Sequence, residues 1–121
     1  ERALLNFGHT LGHAIEKEMN FSLYHGECVV LGMIAALNIC VELGTITANE
    51  RDDALKTFAL YEFPDHVTGI KIDDVVAVSK NDKKMDAGKV KFILLKSVGD
   101  AYIDRDITDD QMRRALEGVI R

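Results

Sequence analysis

The chain has 121 residues, 47% of them hydrophobic and 29% charged, with a formal net charge of −5. That length fits one domain, and the apolar share excludes a disordered chain. One proline and nine glycines exclude collagen-like and low-complexity chains, and the acidic balance argues against nucleic acid as a partner, because phosphate backbones bind basic faces.

Apolar spacing predicts a first helix from Leu4 to Met19, followed by a loop over Asn20–Tyr24. A second helix is expected from Gly26 to Leu43. It is apolar nearly all round, as the buried centre of a bundle is, and Gly44 is placed to end it. Thr47 and Glu50 form a capping box that opens a third helix to Tyr61, and Pro64 breaks the chain after it. Ile72–Lys80 reads as a short fourth helix. Val90–Leu95 and Ala101–Asp104 read as two strands turning at Gly99-Asp100, and Thr108 with Gln111 caps a last helix running to the C-terminus. The expected fold is therefore mainly α, a helical bundle-like single domain over residues 1–121 with one small β-hairpin. A lone hairpin is marginal in water, so it should pack on the helices or on a missing domain.

No stretch reaches the ~20 apolar residues of a membrane helix; the longest run, Cys28–Leu37, is interrupted by Gly32. The start lacks the basic-then-apolar pattern of a signal peptide. A chain that opens at Glu1, without Met and inside an apolar pattern, reads as a piece of something longer. Cys28 and Cys40 would stand ~18 Å apart along one helix, too far for a disulfide. Two reduced, buried thiols in a cytoplasmic protein are expected.

At about 100° per residue, Arg2, Asn6, His9, His13 and Glu16 share one face of the first helix, opposite Leu4, Phe7, Leu11, Ala14 and Ile15. Gly8 and Gly12 flank that face, each costing roughly 1 kcal/mol against Ala, which implies a close approach by a backbone or a ligand. Three of the four histidines fall within residues 9–25, with His25 at the head of the second helix. Convergent imidazoles suit a divalent metal, and His9 and His13 at i,i+4 could reach one ion from one face. A bare His-x-x-x-His is more often a surface or capping pair, and spacing alone leaves open which two of the three histidines would share an ion.

The run Arg2-Ala3-Leu4-Leu5-Asn6-Phe7-Gly8-His9-Thr10-Leu11-Gly12-His13-Ala14-Ile15-Glu16, then His25-Gly26-Glu27-Cys28-Val29-Val30-Leu31-Gly32-Met33, resembles 3-dehydroquinate synthase; Asp82-Lys83-Lys84, Gly88, Phe92-Ile93-Leu94-Leu95 and Val98-Gly99 fit the same family. The resemblance spans almost the whole chain in order. It implies the mainly helical C-terminal domain of an enzyme whose Rossmann-like, NAD-binding N-terminal domain is absent here. It implies a divalent metal, zinc or cobalt, held by His9, His25 and a Glu outside the chain. His13 then contacts substrate phosphate, Arg2 the substrate carboxylate, and Asn6 the substrate through its amide, with His13 and Asn6 the catalytic pair. Lys83 contacts phosphate, with Lys84 as the alternative.

By the same resemblance the substrate is a phosphorylated keto acid, 3-deoxy-D-arabino-heptulosonate 7-phosphate. It is converted to 3-dehydroquinate and phosphate on the shikimate pathway to aromatic amino acids, by a phosphate-releasing carbon–oxygen lyase that oxidises an alcohol with NAD and then restores the NAD. The full-length protein is expected to be a cytoplasmic homodimer without nucleic-acid or membrane partners. Lys80–Lys96 holds six lysines against Asp82 and Asp86, a local basic segment that suits a phosphorylated ligand. His66 matches no functional position and reads as a solvated loop histidine.

Two other functions are open to these residues: another sugar-phosphate cyclase, or a non-catalytic helical module binding metal or a partner. The latter leaves unexplained why Arg2, Asn6 and His13 share a face with His9. The chain alone should be inactive and bind metal weakly. Its apolar second helix is expected to present a patch that the missing domain covers.

Overall fold

The computed structural model describes residues 9–20, 23–82, 92–97, 100–104 and 107–121. They form α1 (His9–Glu18), α2 (His25–Leu43), α3 (Ala48–Leu60), α4 (Ile72–Asp82), a hairpin of β1 (Phe92–Ser97) and β2 (Asp100–Asp104), and α5 (Asp109–Leu116). The expected mainly helical bundle with one hairpin is the architecture found. Residues 1–8, the first part of the expected first helix, lie outside the described residues.

α2 is the hub. α1, α3, α5 and β1 all pack on it, while α4 closes the far side against α1 and α5. Its 19 residues are apolar and long enough to cross a membrane by length and composition, more than the run broken at Gly32 suggested. Here that character serves the core: Leu31, Ile34, Ala35, Ile39 and Cys40 of α2 are buried with Leu11 and Ile15 of α1, Val75 of α4, and Met112 and Leu116 of α5. Removing such surface from water, at about 25 cal/mol per Å², is what holds these short helices together, since few of them would be stable alone.

The helix ends follow local chemistry. The Thr47 hydroxyl accepts from the Glu50 N–H at 3.0 Å while the Glu50 carboxylate accepts from the Thr47 N–H at 2.8 Å. Thr108 and Gln111 repeat the exchange at 3.1 and 2.8 Å. Both capping boxes are the ones expected. Glu27 does part of the same work at the head of α2, its Oε1 accepting from the Tyr24 N–H at 3.2 Å.

α5 departs from expectation. It stops at Leu116 instead of reaching the C-terminus. Gly118 takes φ 85°, a left-handed conformation open to glycine at little cost, and the chain turns back. The Val67 N–H then donates to the Val119 carbonyl at 2.7 Å, and the Arg121 N–H to the Val67 carbonyl at 2.8 Å. This bridge ties the C-terminus to the loop after α3 and buries Val119 and Ile120. Arg114 pairs with Glu42 of α2 and Arg113 with Asp73 of α4, each through a guanidinium nitrogen at 2.7–2.8 Å. These pairs are exposed and contribute little to stability.

The hairpin is antiparallel, with Phe92 opposite Asp104 and Leu95 opposite Ala101 and an irregularity between Leu95 and Ser97. Both strands run further toward the turn than expected, β1 by two residues to Ser97 and β2 by one to Asp100. Among the described residues, α2 exposes only Leu43 of its large hydrophobics, short of the expected apolar patch, and Leu60, Tyr61 and Phe63 are exposed at and just after the end of α3.

Candidate metal and substrate site

The site is built where the C-terminal half of α1 meets the head of α2. The two helices come unusually close. A Cβ on Gly12 would stand 2.8 Å from the Cys28 carbonyl oxygen and 3.2 Å from the Val29 Cα, so the approach inferred from the paired glycines is a backbone approach at Gly12. Gly8 lies outside the described residues.

This contact sets the level of everything C-terminal to it on α1. One turn further along, Glu16 is buried, with 9% of its surface exposed. The His25 Nδ1 lies 3.2 Å from its Oε2 and 3.3 Å from its Oε1. The His13 Nδ1 lies 3.7 Å from Oε1. One carboxylate therefore joins two imidazoles, one from each helix. Burying a carboxylate is costly unless it is paired, and these rings are the partners.

His25 is the first residue of α2, and His9 is the first described residue of α1. Of the residues singled out in the sequence, the structure thus brings together His13 and His25 through Glu16 and seats His9 on the same helix as His13. Arg2, Asn6, Lys83 and Lys84 lie outside the described residues. No group of three or more His, Cys, Asp or Glu placed to hold a metal occurs among the described residues. The described geometry bears on His13 and His25, while the His9 side chain lies outside the described residues. That geometry engages His13, on its Nδ1 side, with a carboxylate of its own helix. Glu16 is the residue that sequence reasoning left without a role, although it sits on the same arc as the histidines, three residues after His13.

His66 is at the surface, as expected, but it has company: its Nδ1 lies 2.7 Å from Asp65 Oδ1 and 3.3 Å from Arg121 Nη1. The hydrogen bond to His66 holds the Asp65 carboxyl below its ordinary range. A groove of about 300 Å³ lined by Asn38, Glu42, Arg51 and Arg114 lies near the other end of α2. Its guanidinium groups are already met, Arg114 by Glu42 and Arg51 by Asp52 and by the Asn38 amide oxygen. It reads as a packing seam between α2, α3 and α5.

Cys28 and Cys40 are both buried and not joined in a disulfide. Burial, reinforced by the Glu16 and Glu27 carboxylates, pushes the Cys28 thiol up to about 11. The thiolate is the reactive form, so Cys28 stays protonated and inert at neutral pH. A folded-state value raised above 9.0 stabilises the fold below that pH, and the contribution fades as the pH climbs toward 11. A thiol reagent at pH 8 is expected to leave Cys28 unmodified in the folded protein and to modify it after denaturation. Rapid stoichiometric labelling of native Cys28 would contradict this.

Residues 1–85 match the family described as 3-dehydroquinate synthase C-terminal. The chain is 39% identical over 98% of its length to a 3-dehydroquinate synthase of Nostoc punctiforme, covering 33% of that protein. It is 40% identical over 95% of its length to one of Acetivibrio thermocellus, covering 32%. Among solved structures it superposes with a TM-score of 0.84 on a 2-epi-5-epi-valiolone synthase of Streptomyces hygroscopicus subsp. jinggangensis 5008, solved with NAD+ and Zn2+ bound, at 25% identity over 96% of this chain and 32% of that one. The chain thus spans about a third of the length of the relatives it matches.

Proposed function

The chain belongs to the 3-dehydroquinate synthase C-terminal family, and from that premise we propose that it is the metal- and substrate-holding domain of a 3-dehydroquinate synthase, whose NAD-binding domain lies outside these 121 residues. The observation that carries this reading is the buried Glu16 carboxylate joining His13 and His25 across the α1–α2 contact. Metal-binding imidazoles typically give their second ring nitrogen to a carboxylate, so His25 with its Nδ1 on Glu16 suits a ligand that uses Nε2. Two imidazoles, His9 and His25, and a carboxylate from elsewhere in the protein would make an open, catalytic three-ligand set.

Bound there, a divalent cation such as zinc or cobalt supplies Lewis acidity to a substrate hydroxyl, and NAD supplies a hydride acceptor. The chain's own residues bind and orient. Arg2 would take the substrate carboxylate in a two-point contact that only a guanidinium offers. Asn6 would orient the substrate through its amide. His13 and Lys83 would hold the phosphate, and holding it in one place both guides its departure and lets it accept the proton released beside the new ketone. Cys28 and Cys40 as buried thiols suit the cytoplasm proposed for the protein, and the homodimer expected of the full-length enzyme remains part of the proposal.

The likeness to a 2-epi-5-epi-valiolone synthase supports a second reading, a sugar-phosphate cyclase that makes a different carbocycle. Product identity separates the two. The full-length protein, given NAD, a divalent metal and 3-deoxy-D-arabino-heptulosonate 7-phosphate, is expected to release one phosphate for each 3-dehydroquinate formed. Absence of phosphate release from this substrate, with turnover of another sugar phosphate, would favour the second reading.

A further inference from the structure

We propose that Glu16 is a positioning residue for both imidazoles, fixing His25 with Nε2 as its metal-facing nitrogen and holding His13 in the orientation that receives the phosphate. The proposal rests on the reading of His25 as a metal ligand given above. It begins from a misfit. Glu16 lies at the edge of the core, after the fully buried Ala14 and Ile15 and before the exposed Lys17, and an apolar side chain is the cheaper occupant of a buried position. A carboxylate there needs a reason.

Its contacts supply one. Both oxygens lie within 3.3 Å of the His25 Nδ1, and Oε1 also faces the His13 Nδ1 at 3.7 Å. The His25 ring is thus held on its Nδ1 side, with its Nε2 edge turned away from Glu16, while the His13 Nδ1 faces the same carboxylate at a distance longer than a hydrogen bond. The His25 side chain is 65% exposed and that of Glu16 only 12%. The carboxylate is the more buried member of the pair, and the imidazole stands at the surface. Gly12, four residues before Glu16, fixes the depth of α1 against α2 through the Cys28 carbonyl, which makes the reach from Glu16 to His25 a property of the backbone. One side chain consequently governs two ligands of different chemistry, a cation and a phosphate, and its loss should disturb both together.

The test uses the full-length protein loaded with Co2+, whose visible absorption reports ligand geometry, in wild type, Glu16→Gln, Glu16→Asp and His25→Ala. Glu16→Gln keeps the shape and an acceptor oxygen but removes the charge. It is expected to weaken Co2+ binding by about 10- to 100-fold, the usual cost of losing such a partner. It should also shift the visible band and raise KM for the phosphorylated substrate, with a thermal midpoint close to wild type. Glu16→Asp should recover part of the affinity, and it supplies the same readout if the glutamine variant fails to fold. A purely structural Glu16 would lower the thermal midpoint and leave Co2+ affinity and spectrum unchanged while His25→Ala loses the metal; that result overturns the positioning role alone. Unchanged Co2+ binding in His25→Ala overturns the metal reading, and the positioning role with it.

Discussion

Replacing His25 by alanine is expected to strip the divalent metal from the full-length protein and to lower kcat/KM by about 10³-fold or more, the equivalent of the several kcal/mol that a Lewis acid supplies. The fold should barely notice. His25 is the first residue of α2, and its side chain is 65% exposed, so truncation opens no cavity. The Tyr24–Glu27 contact that starts the helix does not involve the imidazole. Stability is therefore expected to move by about 0.5–1 kcal/mol, mostly because the buried Glu16 loses one of its partners. Metal analysis together with steady-state kinetics checks this. A His25→Ala protein that retains one equivalent of tightly bound metal and wild-type kcat/KM would contradict it.

Substitution at Gly12 is expected to act in the opposite way, on the fold first and on the site as a consequence. An alanine methyl would stand 2.8 Å from the Cys28 carbonyl oxygen. Backbone atoms cannot rotate aside, so α1 and α2 must part. Overpacking of this kind costs about 1–3 kcal/mol, against which alanine regains about 1 kcal/mol of helix propensity over glycine. Gly12→Ala should lose up to about 2 kcal/mol, and Gly12→Val more, because its two further methyls and β-branch add to the clash. A loss of that size lowers the thermal midpoint of a domain of this length by several degrees, at roughly 4 °C per kcal/mol. Chemical denaturation followed by circular dichroism measures it. The parting should also lengthen the Glu16–His25 contact, so Gly12→Ala is expected to weaken metal binding even where the protein remains folded. Stability equal to wild type in both variants would show that the close approach is not a constraint.

Much of this architecture is legible in the sequence because the signals are local. Thr47 with Glu50 and Thr108 with Gln111 announce helix starts at three-residue spacing, and both form. The apolar run of α2 announces a central helix, and it is one. The two glycines of the opening motif announce a close approach, and Gly12 makes it. What periodicity misses is non-local. Val119 and Ile120 continue an apolar pattern that looks helical, yet they are drawn off by a bridge to Val67, more than fifty residues away. The end of α5 is decided by that partner and by Gly118. Likewise Glu16 looks like the polar edge of a helix face until His25 arrives across a loop to meet it. The roles of Arg2, Asn6 and Lys83 come from family resemblance, since no periodicity distinguishes a substrate-binding guanidinium or ammonium from a solvated one.

A zinc-edge anomalous difference map from crystals of the full-length protein grown with zinc bears most directly on the shared site of His9 and His25. A single strong peak about 2.0–2.1 Å from one ring nitrogen of each histidine, with Glu16 on the far nitrogen of His25, is the expected result. A zinc peak bound through other residues, with the two rings turned apart, would contradict it.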